Sequence, residues 1–447
     1  MQWIHLKNYR CFADTGKIQL RPLTLLIGAN SSGKSSFLRF FPALAQTLRS
    51  ETYGAFSFTN DWVDLGSFEH TVFRGAKPKE ISIELGMELR EAVRQYGLER
   101  EPQADPPPRL KPELGAYRVV LHQDASGIPK LKQQTFLGAS SEEPLFEVYF
   151  SQDGAHFGRH HQELEELHPK LLTIIGSRFQ PERFLPYSLG ALRPIVTGNN
   201  NVNQFDVVFG RITRITQQLD LTIRTIAYLG PVREGPQRYY RLKQQRTDQI
   251  DMNGANLALF LHALSKSERH AFSAYCLKHI GYGVDITSHE LNLSIQLFEK
   301  DSPRQKTNLI DLGYGFSQLL PVLAQLWLLT HRYAKKRLDS EMSFVCIEQP
   351  ELHVHPRLQA RLADLLKGVL ETRRQVFGQD PTLLIETHSE PLLNRVGELI
   401  ELGELQPSDV TVLLFERQPD SAGCTVRQTE FNAQGVLQDW PIGFLAG

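Results

Sequence analysis

Residues 21–36, RPLTLLIGANSSGKSS, decide the fold of this chain. An apolar run typical of a buried strand ends at Gly28, and Gly28 to Ser35 then match the pattern GxxxxGK[ST] in full. The next residues, SSFLRFFPALAQTLRS, have the apolar spacing of a helix. A strand, a glycine-rich turn and a helix in this order form the context that the pattern requires. The sequence therefore predicts a P-loop, a turn that binds the phosphates of a nucleotide.

The residue types of the loop explain how it would hold these phosphates. Glycines let backbone N–H groups turn inward around phosphate oxygens, and the start of the helix adds the positive end of its dipole. Lys34 is expected to reach the β- and γ-phosphates, and the Ser35 hydroxyl is expected to ligate magnesium. ATP and Mg²⁺ are therefore the predicted cofactors. The predicted nucleotide contacts are Gly28, Asn30, Ser31, Ser32, Gly33, Lys34, Ser35 and Ser36.

Composition narrows the class of protein. The chain has 447 residues, of which 41% are hydrophobic and 22% charged, and its formal net charge is −1. This length favours two lobes or one domain with an insertion, and the near-zero charge creates no general field toward nucleic acid. The four cysteines are scattered without a CxxC pair, which argues against a zinc site. No apolar run approaches about 18 residues and the N-terminus is polar, so we expect no membrane partner and a cytoplasmic location.

The order of the predicted elements indicates an α/β fold. Strands and helices alternate from SFVCI to DVTVLLFER, as in a mostly parallel sheet, while AYRVVLHQD, QQTFLG and LFEVYF have the pattern of antiparallel strands. We predict a P-loop NTPase with a mixed sheet, flanking helices, an antiparallel β subdomain and a helical insertion. The predicted segments are 1–90 with the P-loop, 91–222 as the inserted β and helical region, 223–300 with a return strand and helices, and 301–447 as the C-terminal lobe.

The stretch FVCIEQPELHVHP, residues 344–356, is a second chemical motif. Its apolar strand ends in Glu348, where a carboxylate can bind the hydration shell of magnesium, so Ser35 and Glu348 are the predicted metal ligands. ATPases usually carry a second acid at the next position to polarise the attacking water, but this chain has Gln349. An amide can orient water without accepting its proton, as in small GTPases. Glu351 is the alternative carboxylate.

Two more stretches follow from the position of strand ends. TLLIETHSEP, residues 382–391, is an apolar strand that ends beside polar residues. Because ligands of α/β sheets lie where strands end, we predict that His388 senses the γ-phosphate.

DLGYGFSQ, residues 311–318, precedes an apolar helix and by itself predicts only a turn and a helix start. Its place between the P-loop and the acidic strand is that of the signature loop in transporter-like ATPases.

Together these motifs carry a family resemblance. GANSSGKSS, DLGYGFSQLLPVL, FVCIEQPELHVHP and IETHSE resemble the RecF-, SMC- and OLD-like branch of ABC-type ATPases. More narrowly, they are similar to small stand-alone AAA-family ATPases of bacterial anti-phage defence operons, as are IAYLGPVREGPQRYY and DWPIGF. The resemblance implies an ABC-type ATPase head in which His388 is a switch histidine. It also implies that one protomer's signature loop covers the nucleotide of the other, although GYGFSQ departs from the commoner LSGGQ-like spacing. That loop comprises Gly313, Gly315, Ser317 and Gln318.

The resemblance further implies partners. SMC-like relatives insert long coiled coils and OLD nucleases carry a nuclease domain after the ATPase, whereas this sequence has no long heptad stretch and only 58 residues after Ser389. We therefore expect a homodimer or higher homo-oligomer, joined through the ATPase heads, that regulates a separate nuclease- or toxin-like effector from the same operon in anti-phage defence. One alternative is a RecF-like repair or recombination ATPase, which keeps nucleic acid as a candidate partner. Another is a scaffold that binds ATP without turnover.

Gln349 leaves three interpretations open. The amide can place water while a nearby carboxylate supports slow hydrolysis, the chain can bind ATP without meaningful turnover, or the glutamine can be an engineered replacement of a glutamate. We favour slow hydrolysis, with Glu348, Gln349, Glu351 and His388 as the predicted catalytic residues.

Two other groups of residues have competing interpretations. His353, His355 and His388 with Glu351 could indicate a metal site, but a structural turn into a helix after Pro356 is the simpler interpretation. Segment 233–246, REGPQRYYRLKQQR, mixes basic residues with tyrosines, as nucleic-acid contacts do. A solvated face or a protein contact is again simpler. Arg233 and Arg238 are alternative candidates for contact with the nucleotide or the partner protomer.

Overall fold

The computed structural model describes residues 1–49, 54–89, 113–138, 144–151, 154–158, 175–186, 202–243, 249–331, 344–418 and 423–439. Segment 101–113, EPQADPPPRLKPE, whose prolines and charges predict a surface loop, lies outside these ranges except for its last residue. The same holds for much of the predicted helical region at 160–220 and for DWPIGF after Asp439.

The described residues form seventeen strands and nine α-helices. The strands are β1 (Trp3–Tyr9), β2 (Phe12–Gln19), β3 (Leu23–Gly28), β4 (Ile81–Leu89), β5 (Glu113–Gln123), β6 (Pro129–Leu137), β7 (Pro144–Ser151), β8 (Gly154–Phe157), β9 (Ile226–Leu229), β10 (Tyr240–Arg241), β11 (Tyr282–His289), β12 (Asn292–Glu299), β13 (Thr307–Asn308), β14 (Phe344–Glu348), β15 (Thr382–Glu386), β16 (Val410–Arg417) and β17 (Cys424–Thr429). The helices are α1 (Lys34–Leu38), α2 (Phe40–Arg49), α3 (Phe68–Thr71), α4 (Val202–Arg224), α5 (Leu257–Ala263), α6 (Lys266–Ile280), α7 (Tyr314–Thr330), α8 (Pro356–Phe377) and α9 (Glu390–Glu401).

The chain divides into two compact units. The first comprises Met1–Leu20, Ala43–Arg224 and Gln418–Thr425, and the second comprises Arg21–Pro42, Thr225–Arg417 and Val426–Gly447. The P-loop segment therefore groups with the acidic strand and the C-terminal elements, and not with the rest of the predicted segment 1–90.

The first unit is built on an antiparallel sheet. Its seven strands have the order β2-β1-β4-β5-β6-β7-β8, and every neighbouring pair is antiparallel. One face buries large aromatic side chains, among them Tyr117, Phe136 and Phe146, whose rings contact each other in sequence. Alternation of buried and exposed positions is what an antiparallel sheet with one covered face requires. The predicted antiparallel β subdomain is confirmed.

The second unit holds the parallel sheet on which the P-loop lies. Its order is β17-β16-β3-β15-β14-β9, and the pairs from β16 to β9 are all parallel. The central strands are buried on both faces, which explains their continuous apolar sequences such as LTLLIG and FVCIE. Helix α1 contacts β3, β14 and β15, and α8 packs against α7 and α9. A smaller antiparallel sheet joins β10, β11, β12 and β13. The predicted α/β class with a mixed architecture and flanking helices is confirmed.

The helix after the P-loop differs from the prediction of one continuous helix. It ends at Leu38 and a second helix begins at Phe40, with Arg39 between them. Pro42 explains the break, because proline has no N–H to donate to the Leu38 carbonyl and its ring crowds that carbonyl. The consequence is that Arg39 lies at a helix boundary next to the strand ends.

The most apolar helix belongs to the core of the second unit. Helix α7, YGFSQLLPVLAQLWLLT, buries every residue from Ser317 to Thr330. Among the described residues, no helix is both long and apolar enough to cross a membrane.

Candidate functional site

The P-loop has the backbone that its glycines permit. Gly28 has φ +150°, and a Cβ there would lie 2.3 Å from the Phe415 carbonyl oxygen. Gly33 has φ +103° at the start of α1, and Ser31 also has a positive φ of 61°. Positive φ at these positions turns successive N–H groups toward one side of the loop, which is the geometry of an anion-binding concavity.

Lys34 is folded over the loop. Its Nζ donates to the carbonyl oxygens of Gly28 at 2.9 Å and Ala29 at 2.8 Å, and its side chain is buried. Burial lowers the pKa of Lys34, while the nearby Glu386 carboxylate acts in the opposite direction. Among the described residues, the hydrogen-bond partners of the ammonium group are these two carbonyl oxygens, which a phosphate can replace.

Two acidic strand ends lie next to each other beside the loop. Strand β15 lies between β3 and β14, and Glu386 is in register with Glu348 across the parallel pair. The N–H of Thr387 donates to the carbonyl of Leu26, just before the P-loop, at 3.1 Å. Side chains at matched positions of neighbouring parallel strands share one face of the sheet, with the strands about 4.8 Å apart. Both carboxylates therefore lie at the edge of the sheet that carries the phosphate-binding loop.

Glu348 is buried and both of its oxygens are occupied. Arg39 donates from Nε to Oε1 and from an Nη to Oε2, each at 2.8 Å, and the Tyr228 hydroxyl donates to Oε1 at 2.7 Å. Burial and the negative charge of Glu348 raise the pKa of Tyr228 well above its ordinary value, so the phenol keeps its proton. Glu348 is thus a neutralised carboxylate tied to the P-loop helix. Sequence reasoning missed both Arg39 and Tyr228.

Ser35 contacts the other carboxylate. We predicted Glu348 as the partner of Ser35 at a metal, but Ser35 Oγ donates to Glu386 Oε1 at 2.9 Å. Oε2 of Glu386 is buried and has no hydrogen-bond partner within the part of the chain that the structure describes. Burial and the charge of Glu348 raise the pKa of Glu386 to about 7. The sequence did contain a signal, because Glu386 ends an apolar strand just as Glu348 does.

Gln349 occupies a strained turn directly after Glu348. Its φ is +44°, and its N–H donates to the Glu386 carbonyl at 2.8 Å. Arg233 holds the same turn from the inside, with Nη atoms that donate to the carbonyls of Glu348 at 2.6 Å and Gln349 at 3.2 Å. Burial lowers the pKa of Arg233 to about 10, with Glu351 and Glu348 opposing that effect. The hydrogen bonds from the Gln349 N–H and from Arg233 therefore fix the backbone position of Gln349.

Glu351 points at the backbone of the next strand end. Its Oε1 accepts from the His388 N–H at 2.7 Å, and its side chain is buried. Burial raises the pKa of Glu351, and the His388 N–H is the largest opposing contribution. The carboxylate thus holds the chain segment that carries His388, and this contact occupies one oxygen of the alternative base.

His388 is half-buried and lies within the electrostatic reach of the P-loop. Burial lowers its pKa, and the positive charge of Lys34 lowers it further. The imidazole is therefore neutral at physiological pH and can donate one hydrogen bond to an oxygen. The next residue, Ser389, is the N-cap of α9, and its hydroxyl accepts from the Leu392 N–H at 3.2 Å.

The predicted signature residues are divided between the surface and the interior. Gly313 is exposed with φ +91° at the start of α7, and Gly315 packs so closely on the turn after Glu351 that a Cβ would lie 2.6 Å from the His353 carbonyl oxygen. Ser317 and Gln318 are buried, and Ser317 Oγ donates to the Tyr314 carbonyl at 2.6 Å. Within one protomer, the exposed residues of this loop are Gly313 and Tyr314, at the start of α7.

The histidines after Glu351 make contacts within their own segment and with the start of α7. His355 precedes α8 and its Nδ1 accepts from the Arg357 N–H at 3.3 Å, while the His353 ring meets the Tyr314 ring edge-on. In the described ranges, no group of three or more His, Cys, Asp or Glu side chains is arranged to hold a metal ion.

Two arginines of the basic segment have partners within the chain. Arg233 is buried as described above, and Arg238 forms a two-point ion pair with Asp311, at 2.7 and 3.1 Å. Tyr239 is exposed. Residues 244–246 of the segment lie outside the described residues.

The donor set at the strand ends fits a magnesium–nucleotide complex. Mg²⁺ prefers hard oxygen ligands and in nucleotide sites takes one or two carboxylates with phosphates and water. Ser35 and Glu386 supply a hydroxyl and a carboxylate in contact, and the carboxylate has a buried oxygen without a partner among the described residues. The P-loop supplies the phosphate side of the same complex.

Comparisons with known proteins agree with this geometry. A family model described as "AAA ATPase domain" matches residues 1–153, and one described as "AAA domain, putative AbiEii toxin, Type IV TA system" matches residues 217–394. The SMC head domain from Thermotoga maritima is a similar solved structure, at 11% identity over 96% of this chain and 98% of that chain, but its TM-score of 0.36 is too low to carry an argument. No curated protein matches the chain. Over these two stretches the chain is similar to AAA-type ATPase domains, in agreement with the P-loop and the parallel sheet of the second unit.

Proposed function

We propose that this ATPase binds ATP with Mg²⁺ at the P-loop, hydrolyses it slowly and uses the nucleotide to join two protomers. The observation that carries the proposal is the set of groups at one sheet edge. A glycine-built loop, a buried lysine with only carbonyl partners and two carboxylates in register all meet there. Together these groups can bind both the phosphates and the metal ion of a nucleotide, whereas the loop alone could bind only the phosphates.

Each side chain has a distinct role in this proposal. Lys34 exchanges its two carbonyl partners for the β- and γ-phosphates, and the N–H groups of the loop and of α1 bind the remaining phosphate oxygens. Ser35 and a carboxylate at the strand ends would hold the magnesium ion, which would neutralise charge on the bound phosphates. His388 donates a hydrogen bond to the γ-phosphate. Gln349 orients the attacking water through its amide.

Slow turnover follows from the absence of an unengaged proton acceptor at the usual position. An amide does not take a proton at neutral pH, and Glu351 uses one of its two carboxylate oxygens to accept the His388 N–H. The site can still accelerate hydrolysis by positioning the water and the γ-phosphate and by stabilising the charge of the transition state, because neither effect needs a proton acceptor. Glu348 contributes by fixing the P-loop helix through Arg39.

The trans contact rests on the surface around Gly313. Several large apolar side chains near this loop are exposed: Val232 at 78%, Tyr239 at 60%, Tyr314 at 46% and Ile310 at 39%. Because Ser317 and Gln318 face inward, we place the contact with the partner's nucleotide on Gly313 and on the N–H groups at the start of α7. Light scattering of the purified chain tests this. ATP with Mg²⁺ should double the mass, and Tyr314→Glu should keep the chain monomeric although each monomer still binds ATP.

The biological role is proposed from the resemblance and from one family description. We propose that the nucleotide-bound dimer restrains or releases a separate effector in cytoplasmic anti-phage defence. The description of the family model that matches residues 217–394 names a putative AbiEii toxin and a type IV toxin–antitoxin system, and these words describe that family. Burial of Arg233 and the ion pair of Arg238 give the DNA alternative no support from these two residues.

The experiment that tests the activity is direct. Nucleotide binding is measured by calorimetry, and hydrolysis by phosphate release in single-turnover conditions. We expect binding of ATP and slow release of phosphate, both lost in Lys34→Ala. Co-expression with neighbouring gene products, followed by purification with and without ATP, tests the partner. A complex that forms equally in wild type and Lys34→Ala would contradict nucleotide control.

A further inference from the structure

Glu348 occupies the position where the sequence pattern locates the magnesium carboxylate, but its contacts serve another purpose. Arg39 binds both of its oxygens and Tyr228 binds one of them again. A two-point arginine contact is among the strongest charge-assisted interactions of a carboxylate. To approach a cation, Glu348 would have to give up a neutralising partner in a buried setting. Its present contacts therefore favour a fixed carboxylate.

Glu386 has the opposite status. It is 2% exposed, its Oε1 accepts only the neutral Ser35 hydroxyl, and its Oε2 has no hydrogen-bond partner within the described residues. No ion pair is formed by Glu386 in the described part of the chain, although Lys34 and Arg39 lie within electrostatic reach. A buried carboxylate oxygen without a partner is unfavourable unless a proton or a cation satisfies it. This oxygen lies beside the hydroxyl that the P-loop pattern assigns to the metal.

We propose that Glu386, together with Ser35, is the carboxylate that faces the divalent cation of the nucleotide complex, and that Glu348 is a positioning residue. This inference rests on the proposed ATP binding and deepens it. Arg39 directly follows the helix that begins at Lys34 and carries Ser35, so its ion pair with Glu348 ties that helix to β14. Glu348 then fixes Ser35 indirectly, while Glu386 touches the cation itself.

The experiment measures cation binding without using turnover. Mn²⁺ serves as the probe for Mg²⁺, and its free concentration is followed by electron paramagnetic resonance in the presence of a non-hydrolysable ATP analogue. Wild type, Glu386→Gln, Glu386→Asp and the matched control Glu348→Gln are compared. Glu386→Gln keeps the shape and the Ser35 contact but removes the charge. We expect Mn²⁺ affinity to fall at least tenfold in Glu386→Gln, to recover partly in Glu386→Asp, and to fall less than threefold in Glu348→Gln.

Binding of the analogue in EDTA separates this inference from the proposed function. If wild type binds no nucleotide with or without metal, ATP binding itself is refuted and this inference with it. If nucleotide binds and Glu348→Gln loses Mn²⁺ affinity while Glu386→Gln does not, only the inference is overturned. A combined Ser35→Ala and Glu386→Gln variant adds a second criterion. Two ligands of one cation should give a combined loss smaller than the sum of the single losses, whereas independent effects would be additive.

Discussion

Removal of Arg39 is the sharpest perturbation of the site, because it leaves Glu348 buried without its counter-charge. Arg39→Ala deletes two charge-assisted hydrogen bonds of 2.8 Å and retains only the Tyr228 hydroxyl, at 2.7 Å. The Glu348 side chain is 2% exposed, so water cannot readily take the place of the guanidinium as its hydrogen-bond donor. We expect local destabilisation of β14 and α1, and weaker Mg·ATP binding because Ser35 loses its fixed position.

The magnitude follows from the exposure of the two partners. Breaking a fully buried ion pair by removing one partner costs roughly 3–5 kcal/mol. The Arg39 side chain is 37% exposed, so its own solvation offsets part of that cost. We therefore expect about 2 kcal/mol, which corresponds to a roughly 30-fold change in an opening equilibrium constant. Glu348→Gln in the Arg39→Ala background removes the stranded charge and should recover about half of this loss.

Native-state hydrogen exchange of the β14 and α1 amides is the suitable assay, because it reports local opening and not only global unfolding. The amides of β5, in the first unit, serve as the internal control and should be unaffected. The reasoning is refuted if Arg39→Ala changes exchange in β14 by less than about threefold, or about 0.6 kcal/mol. It is also refuted if adding Glu348→Gln makes the protection worse.

Three further outcomes are expected. Lys34→Ala removes the only ammonium of the loop and should weaken ATP binding at least tenfold, or about 1.4 kcal/mol, by calorimetry; unchanged affinity would contradict the role of the loop. Gln349→Glu supplies a carboxylate beside the water and should raise the single-turnover rate by less than the roughly 10²–10⁴-fold typical of a well-placed base, because Glu351 or the γ-phosphate can already take the proton; no increase would mean that this turn lacks the limiting base. Burial and Lys278 lower the pKa of His279 to about 4 in the folded state. The folded protein should therefore lose stability as pH falls from about 6.5 toward 4, by about 1–2 kcal/mol for this half-buried group, and His279→Gln should reduce that loss in urea titrations at pH 7 and 5.

Local patterns account for what the sequence made predictable. The P-loop depends on eight consecutive residues, and the strands around it are continuous apolar runs because both faces of a parallel sheet are covered. The pairing of Arg39 with Glu348 spans 309 positions and depends on strand order and on the break before Pro42. No periodicity in the sequence encodes that contact. The prediction of a single helix was wrong for a local reason. Pro42 fits the apolar helical pattern, but it has no N–H to donate to the Leu38 carbonyl.

Strand order also explains why the sequence alone did not point to Glu386. Glu386 lies in the quoted motif IETHSE, but its neighbours become apparent only when β15 is placed between β3 and β14. The inward direction of Ser317 was hidden for another reason. Helix α7 is apolar on nearly all sides, so its sequence does not say which face of its first turn is exposed.

The same register gives Gln349 a physical explanation. Glu348, Glu351 and Glu386 already place three buried carboxylates at adjoining strand ends, and Glu348 raises the pKa of Glu386. A fourth acid at position 349 would face like charges that only Arg39, Lys34 and the buried Arg233 offset. An amide there keeps the hydrogen bond to water and avoids that repulsion. Gln349→Glu should therefore bind magnesium more tightly and lose stability in its absence. A Gln349→Glu protein as stable as wild type in EDTA would show that these carboxylates do not interact strongly, and the crowded-charge explanation would fail.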